Sequence, residues 1–114
     1  MPELSVIIVN WNGKHFLEEC LSSLRQQTFR DFEVILVDNA SEDGSVDYVR
    51  QFFPEVQVIA ERENLGFAAG NWAGYKEARG EVIVLLNNDT AAHPSWLSEI
   101  HHACLLYTSP SPRD

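Results

Sequence analysis

Apolar residues along the chain fall into short unbroken runs separated by stretches with helical spacing. Leu4–Asn10 (LSVIIVN), Phe32–Asp38 (FEVILVD), Val56–Ala60 and Glu81–Leu86 (EVIVLL) are rich in branched aliphatic residues and hardly alternate with polar ones. That is the pattern of strands buried on both faces of a parallel sheet. After the first run, Phe16, Leu17, Cys20, Leu21 and Leu24 predict an amphipathic helix over Lys14–Thr28. A second helix is predicted over Gly44–Phe53, with Val46, Val49, Phe52 and Phe53 on its core side, Ser41 or Asp43 as its cap and Pro54 as its stop. A third is predicted from near Gly66 to about Arg79, closed by Gly80, and a fourth from Pro94 to near Ala103. Gly66, Gly70 and Gly74 share one stripe of the third helix. Interior glycines cost about 1 kcal/mol each relative to alanine, so the stripe reads as close packing on the sheet or as room for a ligand beside the backbone.

The order βαβαβαβα predicts an α/β domain with a mainly parallel sheet and right-handed crossovers. Ligands of such sheets bind beyond the carboxyl ends of the strands, where strand order reverses. Those ends read Asn10-Trp11-Asn12-Gly13, Asp38-Asn39, Glu61-Arg62-Glu63-Asn64 and Asn87-Asn88-Asp89. All four are polar, which predicts a binding edge rather than four unrelated solvated loops. The phosphate-binding pattern GxxxxGK[ST] is absent, and the turn after the first strand, NWNGKH, lacks the glycines of GxGxxG. This argues against a Rossmann-type oxidoreductase with Asp38 on the ribose. Asp89 is a candidate ligand for Mg2+ or Mn2+, which take oxygen donors and bring substrate phosphates with them. The plainer readings are a cap near Pro94 for Asp89 and a turn-forming residue for Asp38.

Composition narrows the function classes. Of 114 residues, 45% are hydrophobic, 22% charged and 11% aromatic, a soluble globular balance for one domain or part of one. A net charge of −9 disfavours DNA or RNA as a partner but not a small phosphorylated ligand held through backbone or metal. Two cysteines make no disulfide framework, no Cys/His spacing suggests zinc, and no run is long enough to span a bilayer. With no signal-peptide pattern at its start, the chain has a cytoplasmic address by default. Residues 104–114 read CLLYTSPSPRD, break the upstream periodicity, and match the in-frame translation of a transposon-type sequencing-library adapter. They are expected to be a non-native, disordered tail on a truncated chain.

The pieces SVIIVNWNG, EVILVDNASEDGS, ENLGFAAGNWAGYKEARGE and VIVLLNNDT together resemble, in order and spacing, family 2 glycosyltransferases of the GT-A fold, with the closest look to a rhamnosyltransferase-like branch. The resemblance spans essentially 4–100 and makes 1–103 the donor-nucleotide-binding, Rossmann-like part of such a domain. It implies sugar transfer, with inversion, from a nucleotide diphospho-sugar (dTDP- or UDP-linked) to a glycan or lipid-linked acceptor. It puts Asn10, Trp11 and Asn12 beside the nucleobase, Asp38 and its neighbour Asn39 on the base, and Asn64, Gly66 and Asn71 in the donor pocket. The family's DxD metal motif aligns with Asn87-Asn88-Asp89, which leaves Asp89 as the one carboxylate for the metal and Asn88 beside the donor. The general base is expected from the half of the domain after this strand, so these residues are expected to bind nucleotide weakly and to catalyse nothing. None of His15, His93, His101 or His102 is expected to replace that base. Peripheral association with the cytoplasmic membrane face fits a lipid-linked acceptor. A non-catalytic nucleotide-binding module is the alternative reading. A truncated sheet leaves an edge and apolar surface bare, so aggregation on expression is expected.

Overall fold

The branched aliphatic runs form strands where expected: β1 (Leu4–Asn10), β2 (Phe32–Asp38), β3 (Gln57–Ala60) and β4 (Val82–Leu85). The intervening segments form α1 (Lys14–Arg25), α2 (Ser45–Phe52), α3 (Phe67–Glu77) and α4 (Trp96–Tyr107). The structure is a computed structural model and describes residues 2–107. The four strands are parallel and ordered β3-β2-β1-β4, with Asn10 paired to Asp38 at the carboxyl end. The chain therefore moves outward from β1 through β2 to β3 and then returns to the other side of β1. That reversal creates a crevice between β1 and β4 at the carboxyl edge.

Alternate side chains of each strand point to opposite faces. Leu4, Val6, Ile8, Val34, Leu36 and Val84 pack against Leu17 and Leu21 of α1, Val49 of α2 and Leu97 of α4. The other face, with Ile7, Ile35 and Val37, is covered by α3. Close packing explains two of the three glycines on the α3 stripe. A Cβ at Gly70 would come within 2.9 Å of Val9, and one at Gly74 within 2.7 Å of Ile7. Gly66 stands before the helix with φ +92 and open space around it, so conformation rather than contact selects glycine there. Beyond α3, Phe67, Trp72, Tyr75 and Leu85 are exposed around an open groove of about 690 Å3.

Several boundaries differ from expectation for local reasons. α1 stops at Arg25 instead of Thr28 because Gln27 leaves the helix to bridge two elements. Its side-chain N–H donates to the His93 carbonyl (2.7 Å), and its side-chain oxygen accepts from the Leu97 N–H (2.9 Å). This seats the first turn of α4, which starts at Trp96, two residues past Pro94. Gly80 does not close α3, since Ala78 is already extended at the helix end. Gly80 instead presses on β1, where a Cβ would lie 2.7 Å from the Leu4 carbonyl carbon and the Ser5 nitrogen. α4 runs to Tyr107, so the expected disordered tail beginning at Cys104 is corrected for its first four residues. Leu105 and Leu106 favour helix and extend one that is already nucleated. The remainder of that expectation, 108–114, lies outside the described residues.

The start of the sheet is held by Glu33. Its carboxylate accepts from Ser5 Oγ (2.5 Å) and from Arg79 through its backbone N–H (2.7 Å) and guanidinium (3.0 Å), while Ser5 Oγ accepts from the Gly80 N–H (2.8 Å). Burial alone would raise the Glu33 carboxyl, but the Ser5 and Arg79 hydrogen bonds outweigh it and hold it below the usual glutamate range. A carboxylate depressed in the folded state stabilises above its unfolded pKa, and the contribution disappears as pH falls through the folded value. Glu33→Gln is therefore expected to be less stable than the parent at pH 7, with the gap closing as pH drops below about 4. Urea unfolding at several pH values checks this; a gap independent of pH would contradict it.

Candidate functional site at the carboxyl edge of the sheet

At this edge the polar residues named by the sequence interlock. Asn10 ends β1 fully buried, and its Nδ2 donates to Asp38 Oδ1 (2.9 Å) on the adjacent strand. Its Oδ1 accepts from Asn88 Nδ2 (2.8 Å), beyond β4. Asp38, 1% exposed, accepts also from the Ser41 N–H (2.8 Å) and Ser41 Oγ (2.8 Å). Both oxygens of Asp38 are thus engaged inside the protein. Asp38 and Asn10, both expected beside the base, are buried and bonded to each other and to the neighbouring loops, and so hold the edge together.

Asn39 presents the opposite case. It is 2% exposed and donates from Nδ2 to the Gly66 carbonyl (3.0 Å), yet its Oδ1 is the one buried side-chain polar atom without a partner among the described residues. A buried acceptor left unpaired costs about 1–3 kcal/mol, so a donor reaching Asn39 Oδ1 would be favoured by that amount.

The surrounding loops hold this pair in place. Asn12 adopts φ +50, which asparagine tolerates, and its Oδ1 accepts from the Glu42 N–H (2.8 Å) while its own N–H donates to Ser41 Oγ (2.8 Å). It knits the loop after β1 to the loop after β2. Trp11 projects beside it, 56% exposed. Asn64 accepts from the Gly66 N–H (2.9 Å) in a turn that leads into α3, and Asn71 lies half-buried at the groove along that helix. Asn64 and Asn71 therefore shape the α3 wall, and Asn64 meets Asn39 through Gly66, whose carbonyl accepts from Asn39 Nδ2.

Asp43, expected only as a cap, does more. Its two oxygens accept from the Lys14 N–H (3.0 Å) and the Ser45 N–H (3.0 Å), joining the first turns of α1 and α2. Burial would raise its carboxyl, but these bonds and that from Ser45 Oγ hold it below the usual aspartate range. The sequence reading placed Gly13 at the edge without a role and Ser41 only as a cap candidate. The bare glycine in NWNG was a usable signal; Ser41 had none beyond its position after Asp38.

Asp89 is exposed and its nearest partner is Thr90 Oγ1 at 3.5 Å, so it does not cap the following helix. Its charge is nonetheless felt on helix α1: burial first, and then Asp89, push the Cys20 thiol up to about 11. Among the described residues no three His, Cys, Asp or Glu side chains converge on one point. An exposed single carboxylate fits a hard cation that brings most of its own shell as phosphate oxygens and water, and does not fit a cation caged by protein.

Comparison with known proteins agrees with this geometry. The family model described as "Glycosyl transferase family 2" matches residues 5–103. The chain is 31% identical over 102 residues to glycosyltransferase AglE of Haloferax volcanii, covering 85% of this chain and 34% of that protein. Among solved structures it is similar to mannosyltransferase PcManGT from Pyrobaculum calidifontis in complex with GDP-Man and Mn2+ (TM-score 0.81, 26% identity, 96% of this chain and 33% of that one). It shares its fold with S. aureus TarS 1-349 in complex with UDP-GlcNAc (TM-score 0.85, 24% identity, 92% of this chain and 32% of that one). The chain spans about a third of the length of the relatives it matches. With its strand order, its polar carboxyl edge and a match over nearly its whole length, the chain belongs to glycosyl transferase family 2.

Proposed function

We propose that this chain is the donor-binding part of an enzyme that transfers a sugar, with inversion, from a nucleotide diphospho-sugar to a glycan or lipid-linked acceptor. The observation that carries the reading is the unpaired Oδ1 of Asn39, buried at the sheet edge and suited to an N–H of a base such as uracil or thymine. Trp11, in the loop after β1, offers an exposed ring on which a base could stack. Asp38, bonded to Ser41 and Asn10, stands directly before Asn39 on this edge and shares the base side of the site in this reading. The first turns of α1 and α2 are already met by Asp43, which leaves the diphosphate to Asp89 and a cation.

Mg2+ or Mn2+ fits Asp89 on the donor set described above, and when bound it supplies charge neutralisation for the departing diphosphate. PcManGT, a related protein, is bound to Mn2+ and GDP-Man, which supports both ligand classes here. The general base that deprotonates the acceptor is assigned to sequence beyond these residues, in keeping with relatives about three times as long. No helix among the described residues is long and apolar enough to cross a membrane. The reading places the protein in the cytoplasm or at the cytoplasmic membrane face.

Titration of the chain with UDP and dTDP, with and without Mn2+, tests the proposal. Binding is expected to be weak, to strengthen with Mn2+, and to lose the metal-dependent part in Asp89→Ala. Binding that is indifferent to metal, or an unchanged metal effect in Asp89→Ala, would overturn the assignment. Turnover of the sugar nucleotide by this chain alone would overturn the placement of the base.

A further inference from the structure

Asn88 and Asp89 follow β4 in a short turn that is entered through the Leu86 N–H bond to the Ile7 carbonyl (3.0 Å) and touched from α1 by Cys20 Sγ, 3.8 Å from the Asn87 carbonyl. The Thr90 N–H donates to the Asn87 carbonyl within the turn, and Asp89 has only the long contact to Thr90. The firm link from this turn to the centre of the sheet is the 2.8 Å bond from Asn88 Nδ2 to Asn10 Oδ1. Asn10 passes that link on, since its Nδ2 donates to Asp38 and, at 3.4 Å, reaches Ser41 Oγ. A side chain at this place must accept from one neighbour and donate to another. An amide does both; a carboxylate or an aliphatic chain does not.

The backbone of Gly13 lies directly over this bond. A Cβ there would come within 2.3 Å of Asn88 Nδ2 and 2.6 Å of Asn10 Oδ1, both far inside any contact distance. Yet Gly13 has φ −108, a conformation that every residue adopts freely. Its glycine is selected by space, and the space belongs to the Asn10–Asn88 bond.

We infer that Asn10, Gly13 and Asn88 are positioning residues that fix the Asp89 carboxylate relative to the Asn39 end of the site, so that the cation on a nucleotide diphosphate and the base engage together. The inference rests on the nucleotide reading above for its ligand, but not for its mechanical claim. Asn10 acts from full burial, Gly13 by the absence of a side chain, and Asn88 by tying the turn to the strand. None of the three needs to touch the sugar.

Two readouts on the whole chain test it with Gly13→Ala and Asn88→Ala. Without ligand, backbone relaxation is expected to show the 87–90 turn rigid in the parent, at an order parameter of about 0.85, and flexible in both variants, below about 0.6, while β1 and β2 are unchanged. With ligand, both variants are expected to bind uridine or thymidine as the parent does. They should lose about tenfold of the Mn2+-dependent gain in UDP or dTDP affinity, the scale of outer-partner effects on metal sites. A turn that stays rigid in both variants would overturn the inference. So would a turn that loosens while the metal-dependent gain persists, or an equal loss of nucleoside and nucleotide binding. If the parent shows no metal-dependent binding, the nucleotide reading fails and the relaxation result alone decides the mechanical claim. Should Gly13→Ala fail to fold, Asn88→Ala, which only removes atoms, carries both measurements.

Discussion

Asn10→Leu is expected to cost about 2–4 kcal/mol, the largest effect of any single substitution at the candidate site. Leucine fits the volume, so the loss comes from hydrogen bonding and not from a cavity. Asp38, 1% exposed, keeps its bonds from Ser41 on both oxygens but loses the amide that shares Oδ1 with Ser41 Oγ, and Asn88 loses its acceptor. Against the 5–15 kcal/mol typical of a folded domain, such a change separates a stable chain from a marginal one. Asn10→Asp sharpens the test, because it sets two carboxylates side by side in the interior. Like charges in one site raise the pKa of at least one of them, so this variant should recover stability relative to the parent as pH falls through the carboxylate range. Urea midpoints at pH 7 and pH 5 measure both. A leucine variant within about 0.5 kcal/mol of the parent would mean that the buried amide carries no weight.

Gly80→Ala is expected to destabilise by about 2–3 kcal/mol, while Gly74→Ala, with an equally short contact, is expected to cost about 1 kcal/mol less. The difference lies in what the added methyl meets. At Gly80 it would strike the backbone of Leu4 and Ser5 at 2.7 Å, at the point where the Gly80 N–H bonds Ser5 Oγ. Neither strand nor bond can yield without the other. At Gly74 the 2.7 Å contact is to Cγ2 of Ile7, a buried side-chain methyl and not backbone, and the helix interior gains about 1 kcal/mol when glycine becomes alanine, which offsets part of the crowding. Thermal or urea unfolding of the two variants side by side checks the ranking; equal costs would mean that β1 accommodates the methyl.

The four strands and the polar edge were legible because a doubly covered parallel strand needs nearly continuous apolar residues. β1 and β2 fall on the expected residues. What the sequence concealed was set by contacts between distant segments. The early end of α1 follows from Gln27 reaching His93 and Leu97, a partnership that no local spacing announces. Gly80 resembles a helix stop in sequence, whereas its place is decided by β1 some seventy-five residues earlier. At the edge, Asn10, Asp38 and Asn88 could be named from their position at strand ends. Their pairing could not, because it depends on β4 returning beside β1. The separation of Asp38, spent on internal bonds, from Asn39, with an oxygen to spare, required coordinates, since adjacent residues at a strand end point in opposite directions.

The central place of β1 has a consequence for synthesis. β1 precedes both of its neighbours in the chain, β2 on one side and β4 on the other, so it stands half-finished until Val82–Leu85 have been translated. At 5–20 residues per second, about 4–15 s pass between the end of β1 and the arrival of its second neighbour. Throughout that interval one hydrogen-bonding edge of an apolar strand is open to other chains. The order of strands that creates the crevice thus also sets a window in which a nascent chain depends on chaperones, and crowded ribosomes on one message would lengthen the risk.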